Sequence, residues 1–486
     1  MFASYYPLWS FLPILILLVI SLWKGVKPGI YASLAVAVLV FFGSSSGFPP
    51  FLASFVVAFV DTINILMIIF GALLLYNVML QKGYIEGIKA SLSQVHPRRE
   101  VRFMFLMLFL TAFFESVAGF GTPGAIVPLL LVSLGYSPVL SIAAVLLVDG
   151  LFAVSGAVGT PMIAGLEAPL KLTVEQTSAI YAWAAVAIAV AGIIIMLFVH
   201  RYVRRESDGP LGWQGWAMFF AFMVPYVLLA SILKELTGII ASILMPVFAY
   251  AFVFKQRQIS LKAWTPYGLL VVILMLPKLI PPLAEFLALS LSVDGLFGTD
   301  IKAALQPLRS PLGPFLIATV FALYQVKDFK VNLTPVFKKT LAVFMILFPS
   351  LAITQLMLNG GGELPSMIDA IASVFGKARA AYPLISPFIG VTGAFMTGTT
   401  TVSNIIFGPV QYSAAQTLGF DTYVILGLQL AGAALGNAVC LFNIIAAATV
   451  AEIEDFRGVL QKNLLPVGLA SLGIAAVGFL GIWMMG

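Results

Sequence analysis

Apolar runs of about 20 residues recur along the whole of this 486-residue chain, and they decide what it can fold into. A helix of that length spans the hydrocarbon core of a bilayer. A transmembrane β-barrel would instead show alternating segments of about 10 residues, which this sequence lacks. Only 9% of the residues are charged, against roughly 25% in a soluble domain. The sequence therefore predicts an all-α polytopic membrane protein.

We expect about 12 spans and two further apolar segments that are too interrupted to be plain spans. The interrupted segments cover about 101–135 and 381–415, and each is expected to form a re-entrant helical hairpin. Such a hairpin is a helix, a polar tip and a second helix that leaves on the side it entered. The spans are expected near 8–23, 29–43, 51–80, 139–165, 176–200, 212–233, 237–254, 265–292, 313–325, 338–357, 421–450 and 464–484.

Both interrupted segments carry polar and glycine-rich sequence at membrane depth. They read FESVAGFGTPGAI (114–126) and TGAFMTGTTTVSN (392–404). Irregular backbone is tolerated in hydrocarbon only where it is buried in protein or lines a wet cavity. Two broken segments in matching halves are the best sequence pointer to the substrate site of a secondary transporter.

The distribution of basic residues supports the hairpins. With the N-terminus outside and both hairpins re-entrant, 19 of the 26 Lys and Arg residues fall on the cytoplasmic side. If 101–135 crossed the membrane once, the later basic loops would fall outside. The first hairpin is therefore expected to open to the cytoplasm, the second to the exterior, and the C-terminus to lie outside. The net charge of +6 reflects this topology and predicts no nucleic-acid partner.

The two halves also share an order of elements. LGYSP (134–138) and LGFDT (418–422) follow the two hairpins, and each leads into an interrupted helix, at 139–165 and 421–450. The same order with opposite hairpin mouths predicts an inverted-topology repeat whose interrupted helices meet at the midplane. The expected regions are an N-terminal repeat at 1–211, linking scaffold spans at 212–310 and a C-terminal repeat at 311–486.

Small polar residues at the four breaks are the candidate substrate-binding residues. Helix N-termini carry a partial positive charge and suit a carboxylate, and glycine lets backbone approach a ligand. Close helix–helix packing is the alternative explanation for such residues. The candidates are Gly119, Phe120, Gly121, Thr122, Ser155, Gly159, Thr160, Thr399, Thr400, Thr401, Ser403, Asn404, Gln429, Asn437 and Asn443.

Three intramembrane acids, Glu115, Asp149 and Asp61, are the candidate proton-coupling residues. A carboxyl group at a helix centre costs about 2.5–3.5 kcal/mol on insertion scales, and desolvation favours its protonated form. A structural hydrogen bond or ion pair is the alternative for each. The sequence has no HExxH, paired-cysteine or phosphate-loop pattern. We therefore expect no enzyme activity, no cofactor and no metal site.

FESVAGFGTPGAI and the later SGAVGTP (155–161) resemble the signature region of the L-lactate permease family. TTTVSN (399–404) resembles hairpin tips of the wider ion-transporter superfamily. The resemblance implies the two-half fold, proton coupling, a lactate or glycolate substrate and a prokaryotic plasma membrane. The family's recurring residues correspond here to Glu115, Gly119, Phe120, Gly121, Thr122, Pro123, Gly159, Thr160 and Pro161.

Together these features predict a symporter that imports a small 2-hydroxy monocarboxylate with protons by alternating access. Its partners are then the carboxylate anion, protons and membrane lipid, with homo-oligomerisation left open. A sodium-coupled carboxylate or dicarboxylate carrier is the first alternative, because unwound carbonyls together with Asn404 and Asn437 would hold Na⁺ equally well. An anion channel lined by the same breaks is the second.

Overall fold

The structure is a computed structural model that describes residues 5–92, 95–119, 121–205, 212–254, 261–308, 310–375, 381–450, 453 and 455–485. It is almost entirely helical. Its α-helices are α1 (Tyr6–Lys24), α2 (Val26–Gly43), α3 (Phe48–Gln81), α4 (Tyr84–Leu92), α5 (Arg99–Val117), α6 (Thr122–Ser133), α7 (Pro138–Phe152), α8 (Gly156–Met162), α9 (Ala168–Leu170), α10 (Val174–Arg205), α11 (Trp213–Leu233), α12 (Thr237–Phe248), α13 (Thr265–Leu279), α14 (Pro281–Leu287), α15 (Leu312–Val326), α16 (Thr334–Asn359), α17 (Met367–Phe375), α18 (Tyr382–Thr397), α19 (Thr400–Leu418), α20 (Thr422–Gly436), α21 (Leu441–Val450) and α22 (Phe456–Met485).

Six helical stretches of the described chain are long and apolar enough to cross a membrane, by length and composition. Shorter apolar helices of 10–17 residues accompany them. The number of spans therefore stays a prediction. The six stretches are Phe48–Gln81, Pro138–Leu170, Val174–Arg204, Trp213–Val253, Thr334–Asn359 and Phe456–Met484.

The stretch Trp213–Val253 reverses direction part-way along. Its backbone breaks at Lys234, where φ is 52° and ψ is −114°, and a 3₁₀ turn follows at Lys234–Leu236. Helices α11 and α12 then pack against each other on either side of this turn. The fold thus contains an α11–α12 hairpin, in agreement with the separate spans expected at 212–233 and 237–254.

Residues 101–135 and 381–415 each fold as two helices around a short tip. In the first, α5 and α6 are joined by 118–121, and Gly119 and Gly121 adopt positive φ angles of 54° and 77°. In the second, α18 and α19 are joined at Gly398, with φ 82°, and Thr399. The two helices pack together in each case. Entry into the membrane from one side stays a prediction.

Each hairpin is followed by an interrupted helix. After α7 the backbone passes through a 3₁₀ turn, Ala153–Ser155, before α8, and after α20 it is non-helical to residue 440 before α21. The two interrupted helices touch near their breaks, because Gly150 packs on the backbone of Ala434 and Leu435. The inverted-topology repeat itself stays a prediction, but these elements place both breaks in the interior of the bundle.

One short antiparallel strand pair departs from the all-helical expectation. Strands β1 (Leu291–Val293) and β2 (Ala303–Leu305) pair within the region expected to be linking spans. Asn64 of α3 anchors the pair, donating from Nδ2 to the Ala304 carbonyl at 2.8 Å and accepting from the Gln306 N–H at 2.9 Å. Three-residue strands are too short to give an alternating pattern, so the sequence carried no signal for them.

A charged contact joins the far end of α3 to the loop between α15 and α16. Lys82 Nζ donates to Asp328 Oδ2 at 2.6 Å and to the Lys330 carbonyl at 2.7 Å. The hydrogen bond from Lys82 lowers the pKa of the Asp328 carboxyl. This loop belongs to the basic surface that the sequence places in the cytoplasm.

Candidate functional site

The centre of the candidate site is a pair of buried carboxyl groups. Glu115 lies in the last turn of α5 and Asp149 near the end of α7, and they are 6% and 4% exposed. Their side chains lie close enough to interact with each other. Two carboxyl groups buried side by side favour a proton on one of them, because burial and the neighbouring like charge both disfavour the ionised form. The pair can therefore hold a proton in the interior of the bundle.

The break after α7 lies directly against this pair. A Cβ atom added to Gly156 would collide with Glu115 Oε1, so the backbone here passes the carboxyl group at a distance that only glycine allows. The next three residues, Ala157, Val158 and Gly159, have left-handed φ angles of 43°, 53° and 76°. For residues with a side chain this conformation costs roughly 1–2 kcal/mol each. Strain of this kind, held in place by tight packing, is typical of functional sites.

The tip of the first hairpin contacts the same break. A Cβ atom on Gly119 would meet the Cβ and backbone nitrogen of Ala157. Thr122 is buried at the start of α6, and its N–H donates to the Gly119 carbonyl at 2.9 Å. Gly121 is exposed and has no neighbour within 4 Å of a Cβ position. Phe120, also a candidate, lies outside the described residues.

The other two candidates at the first break differ in their bonding. Thr160 Oγ1 donates to the Ala157 carbonyl at 2.7 Å, which stabilises the strained turn. Ser155 Oγ has only long contacts of 3.5 Å, to the Phe152 carbonyl and the Tyr226 hydroxyl. Ser155 is therefore free to bond more strongly to something else.

The α11–α12 hairpin also reaches the first break. A Cβ atom on Gly238 would collide with the hydroxyls of both Ser116 and Ser155. Glu235, in the turn, packs against Gly159. Two sides of the break are thus covered by a segment that the sequence assigned to scaffold spans.

The polar residues of the second half form a buried chain of hydrogen bonds. Tyr382 Oη donates to Gln411 Oε1 at 2.6 Å, and Gln411 Nε2 donates to Gln429 Oε1 at 2.9 Å. Gln429 Nε2 donates in turn to Asn404 Oδ1 at 3.2 Å. Asn404 Nδ2 then donates to the Pro161 carbonyl at 3.1 Å. This series of hydrogen bonds runs from the second hairpin to the first break and joins the two halves of the protein.

The remaining candidates in the second hairpin also bond to protein. Ser403 Oγ donates to the Gly390 carbonyl at 2.9 Å, and Thr400 Oγ1 to the Ala433 carbonyl at 3.3 Å. Thr399 caps α19 by accepting from the Thr401 N–H at 3.1 Å. These contacts hold the tip in shape. A ligand that bonded to Ser403 or Thr400 would have to displace them.

The candidates at the second break lie at the end of α20. Asn443 Nδ2 donates to the Asn437 carbonyl at 3.3 Å and bridges the gap between α20 and α21. Asn437 Oδ1 is buried and has no hydrogen-bond partner among the described residues. The side-chain oxygen of Asn437 therefore remains available at this break to accept a hydrogen bond.

Asp61 lies apart from the carboxyl pair. It sits half-buried in α3, and its charged neighbour is Lys171, at the end of α9. Glu115 and Asp149 interact with each other and not with Asp61 among the described residues. Those residues also contain no group of three or more His, Cys, Asp and Glu side chains that could hold a metal ion.

Comparison with known proteins places the chain in a family. A family model described as L-lactate permease matches residues 7–482. The chain belongs to the L-lactate permease family. A Haemophilus influenzae relative that carries the family's name is 28% identical, and the alignment covers 97% of this chain and 97% of the relative. An L-lactate permease of Streptococcus iniae is 28% identical over 74% of this chain and 79% of the relative. A glycolate permease of Escherichia coli is 22% identical over 82% of this chain and 81% of the relative.

Membership of the L-lactate permease family confirms the resemblance expected from 114–126 and 155–161. In this family member the first break gathers residues that sequence reasoning did not select. Ser116 and Tyr226 contact it through Gly238 and Ser155. Ser116 follows Glu115 directly, which is a signal that could have found it. Tyr226 lies in an ordinary apolar span and carries no such signal.

Gln411 and Tyr382 were also missed by the sequence analysis. Gln411 lies in α19, two turns beyond Asn404, and is fully buried. A buried glutamine in an apolar helix costs free energy unless it is bonded, and this is a signal that could have identified it. Its partner Gln429 was selected only for lying near the second break.

Proposed function

We propose that this L-lactate permease family member imports a small 2-hydroxy monocarboxylate, lactate or glycolate, together with protons. The buried pair of Glu115 and Asp149 supports the proposal most strongly, because it offers two carboxyl groups for a proton directly beside the strained break. The names of the relatives support the substrate class, since they are L-lactate and glycolate permeases. The membrane is then a prokaryotic plasma membrane.

Proton coupling has a simple energetic reason. An inside-negative potential opposes anion entry by about 2.3 kcal/mol per charge for each 100 mV. One proton carried with one monoanion removes this cost. In the proposed cycle the carboxyl pair gains a proton, and the substrate carboxylate then binds beside the less negative pair. The substrate and the proton are released together on the other side of the membrane.

The proposed movement is alternating access in a fold of two inverted repeats, 1–211 and 311–486, in which the bundle that carries both hairpins and both broken helices shifts against a scaffold of the remaining helices. Both hairpins are taken to be re-entrant, the first from the cytoplasm and the second from the exterior. The contact of Gly150 with Ala434 and Leu435 supports this arrangement, because it brings the two broken helices together. Rigid-body movement of repeats about a fixed site is the usual mode for such folds.

The test is uptake of labelled lactate and glycolate into proteoliposomes with an imposed pH difference, acidic outside. We expect accumulation above the external concentration, in sodium-free buffer, that a protonophore abolishes. Uptake that requires sodium would instead establish a sodium-coupled carrier. Equilibration without accumulation would establish a channel, and either result would overturn the proposal.

A further inference from the structure

Four buried hydroxyl groups surround the first break, and we call Ser116, Ser155, Tyr181 and Tyr226 the hydroxyl cluster. They come from α5, the break itself, α10 and α11. Ser116 and Ser155 both lie against Gly238, and Ser155 Oγ is 3.5 Å from Tyr226 Oη. Tyr181 Oη lies against Gly159 of the same break.

Two members of the hydroxyl cluster have no hydrogen-bond partner among the described residues. Ser116 is 0% exposed and Tyr181 is 2% exposed, and neither Ser116 Oγ nor Tyr181 Oη is bonded. A buried hydroxyl without a partner costs about 1–3 kcal/mol. Tyr181 Oη lies against Gly159 of the strained turn, and Ser116 Oγ lies against Gly238 beside Ser155 Oγ. A bound ligand would recover this free energy.

Location separates these hydroxyls from other buried, unpartnered ones. Ser141 and Tyr267 also lack partners, but they lie in the first turn of α7 and in α13. Ser116 instead follows Glu115 in the chain, and Ser155 precedes Gly156, which touches the Glu115 carboxyl group. The hydroxyl cluster is therefore adjacent to the proton site.

We propose that the hydroxyl cluster binds the carboxylate and the 2-hydroxyl group of the transported acid. This rests on the proposed function and names the groups that would recognise its substrate. A hydroxyl can donate to a carboxylate and also accept from an alcohol, so the cluster suits a 2-hydroxy acid in both respects. It adds no charge, which fits a monoanion that travels with a proton from the neighbouring pair.

Recognition of the 2-hydroxyl group has a measurable consequence. A site built to bond a substrate hydroxyl rejects the analogue that lacks it, because its own polar groups are then left unpaired. The wild-type protein should therefore bind lactate at least about tenfold more tightly than propionate, as judged by competition with labelled lactate uptake.

The experiment measures this competition in Ser116→Ala and Tyr181→Phe, with Ser141→Ala and Tyr267→Phe as matched controls. Each site variant and its control lose the same kind of buried, unpartnered hydroxyl. The hydroxyl lies in the cluster in the site variant and outside the cluster in the control. We expect the two site variants to weaken lactate binding about tenfold or more and to lose preference over propionate. The controls should match the wild type. All four should melt at or above the wild-type temperature, because no hydrogen bond is lost and a buried hydroxyl without a partner is removed.

Site variants that bind lactate and propionate as the controls do would overturn the hydroxyl cluster as the binding site while leaving the proposed function intact. If one site variant fails to fold, the other still decides the question. A wild-type protein that transports no 2-hydroxy monocarboxylate would instead overturn the proposed function, and this assignment with it. The two failures are therefore distinguishable.

Discussion

At the scale of single residues, the contact between Glu115 and Asp149 distinguishes this chain from a bundle with isolated buried acids. Each carboxyl group alone would be neutral or would need a cation. As an interacting pair they are proposed to share a proton, and protons leave such a pair in steps that belong to both groups. The proposed proton site is therefore the pair and not one residue.

The change Glu115→Gln tests that assignment. Glutamine keeps the size and can still bond to Asp149, but it cannot release a proton. We expect loss of pH-driven accumulation, by more than tenfold, with exchange of labelled for unlabelled lactate partly retained. Glu100→Gln on the same helix is the control, because Glu100 pairs with Arg98 and not with Asp149. A Glu115→Gln protein that still accumulates lactate against its gradient would remove the pair from the coupling mechanism.

Asn404 carries a prediction about stability. It accepts from Gln429 and donates to the Pro161 carbonyl while fully buried. Removing one partner of a buried hydrogen bond costs about 1–3 kcal/mol. Asn404→Ala should therefore lower the melting temperature in detergent clearly more than Asn443→Ala does. The hydrogen bond from Asn443 to the Asn437 carbonyl is longer and only part-buried. Equal melting temperatures would show that the chain of hydrogen bonds does not hold the two halves together.

At the scale of elements, the break between α7 and α8 is the part on which the proposed site depends. Its glycine at 156 leaves just enough room for the Glu115 carboxyl group. A methyl group there must push the carboxyl group away and disturb its contact with Asp149. The strained turn gives the backbone little freedom to yield.

Gly156→Ala should therefore reduce proton-driven uptake at least tenfold and destabilise the protein by about 1–3 kcal/mol, as overpacking does. Gly124→Ala in α6 is the control, since a Cβ atom there makes only ordinary contacts of 3.6 and 3.8 Å. Initial uptake rates and melting temperatures of both variants provide the comparison. The account of the break is contradicted if Gly156→Ala transports as well as Gly124→Ala does.

At the scale of the whole molecule, sequence reasoning located the elements better than the contacts between them. Clusters of glycine, proline and threonine in apolar surroundings identified both tips and the first break, because several such residues together weaken a helix. The contact of Gly238 with Ser116 could not be predicted in this way. It depends on how the α11–α12 hairpin packs, and Lys234–Leu236 reads as an ordinary loop between two spans.

The hydrogen-bond chain in the second half illustrates the same limit. Asn404 and Gln429 were selected as free donors for a ligand, but each already bonds to protein. Their partner Gln411 lies beyond the polar tip of the second hairpin, in the part of α19 that follows residue 404. Bonding between residues distant in sequence depends on tertiary packing, which no local pattern records.

The contact between the broken helices predicts how the halves move. A Cβ atom on Gly150 would lie 3.4 Å from that of Ala438, close to the distance of about 3.5–4.5 Å that a disulfide needs. In a Cys440→Ser background, Gly150→Cys with Ala438→Cys should crosslink on oxidation and keep about half or more of its uptake, because the two broken helices move as one body. The reduced protein and each single cysteine variant are the controls. Uptake that stops on oxidation and returns on reduction would show that these helices separate during transport.

The central claim is that substrate and proton cross together, and lumen acidification tests it most directly. A pH-sensitive dye trapped in sodium-free proteoliposomes reports proton entry when unlabelled lactate is added outside, with protein-free liposomes giving the leak of the free acid. We predict acidification well above that leak for the wild type and none above it for Glu115→Gln. Entry of labelled lactate through the wild-type protein without any acidification beyond the leak would contradict the account.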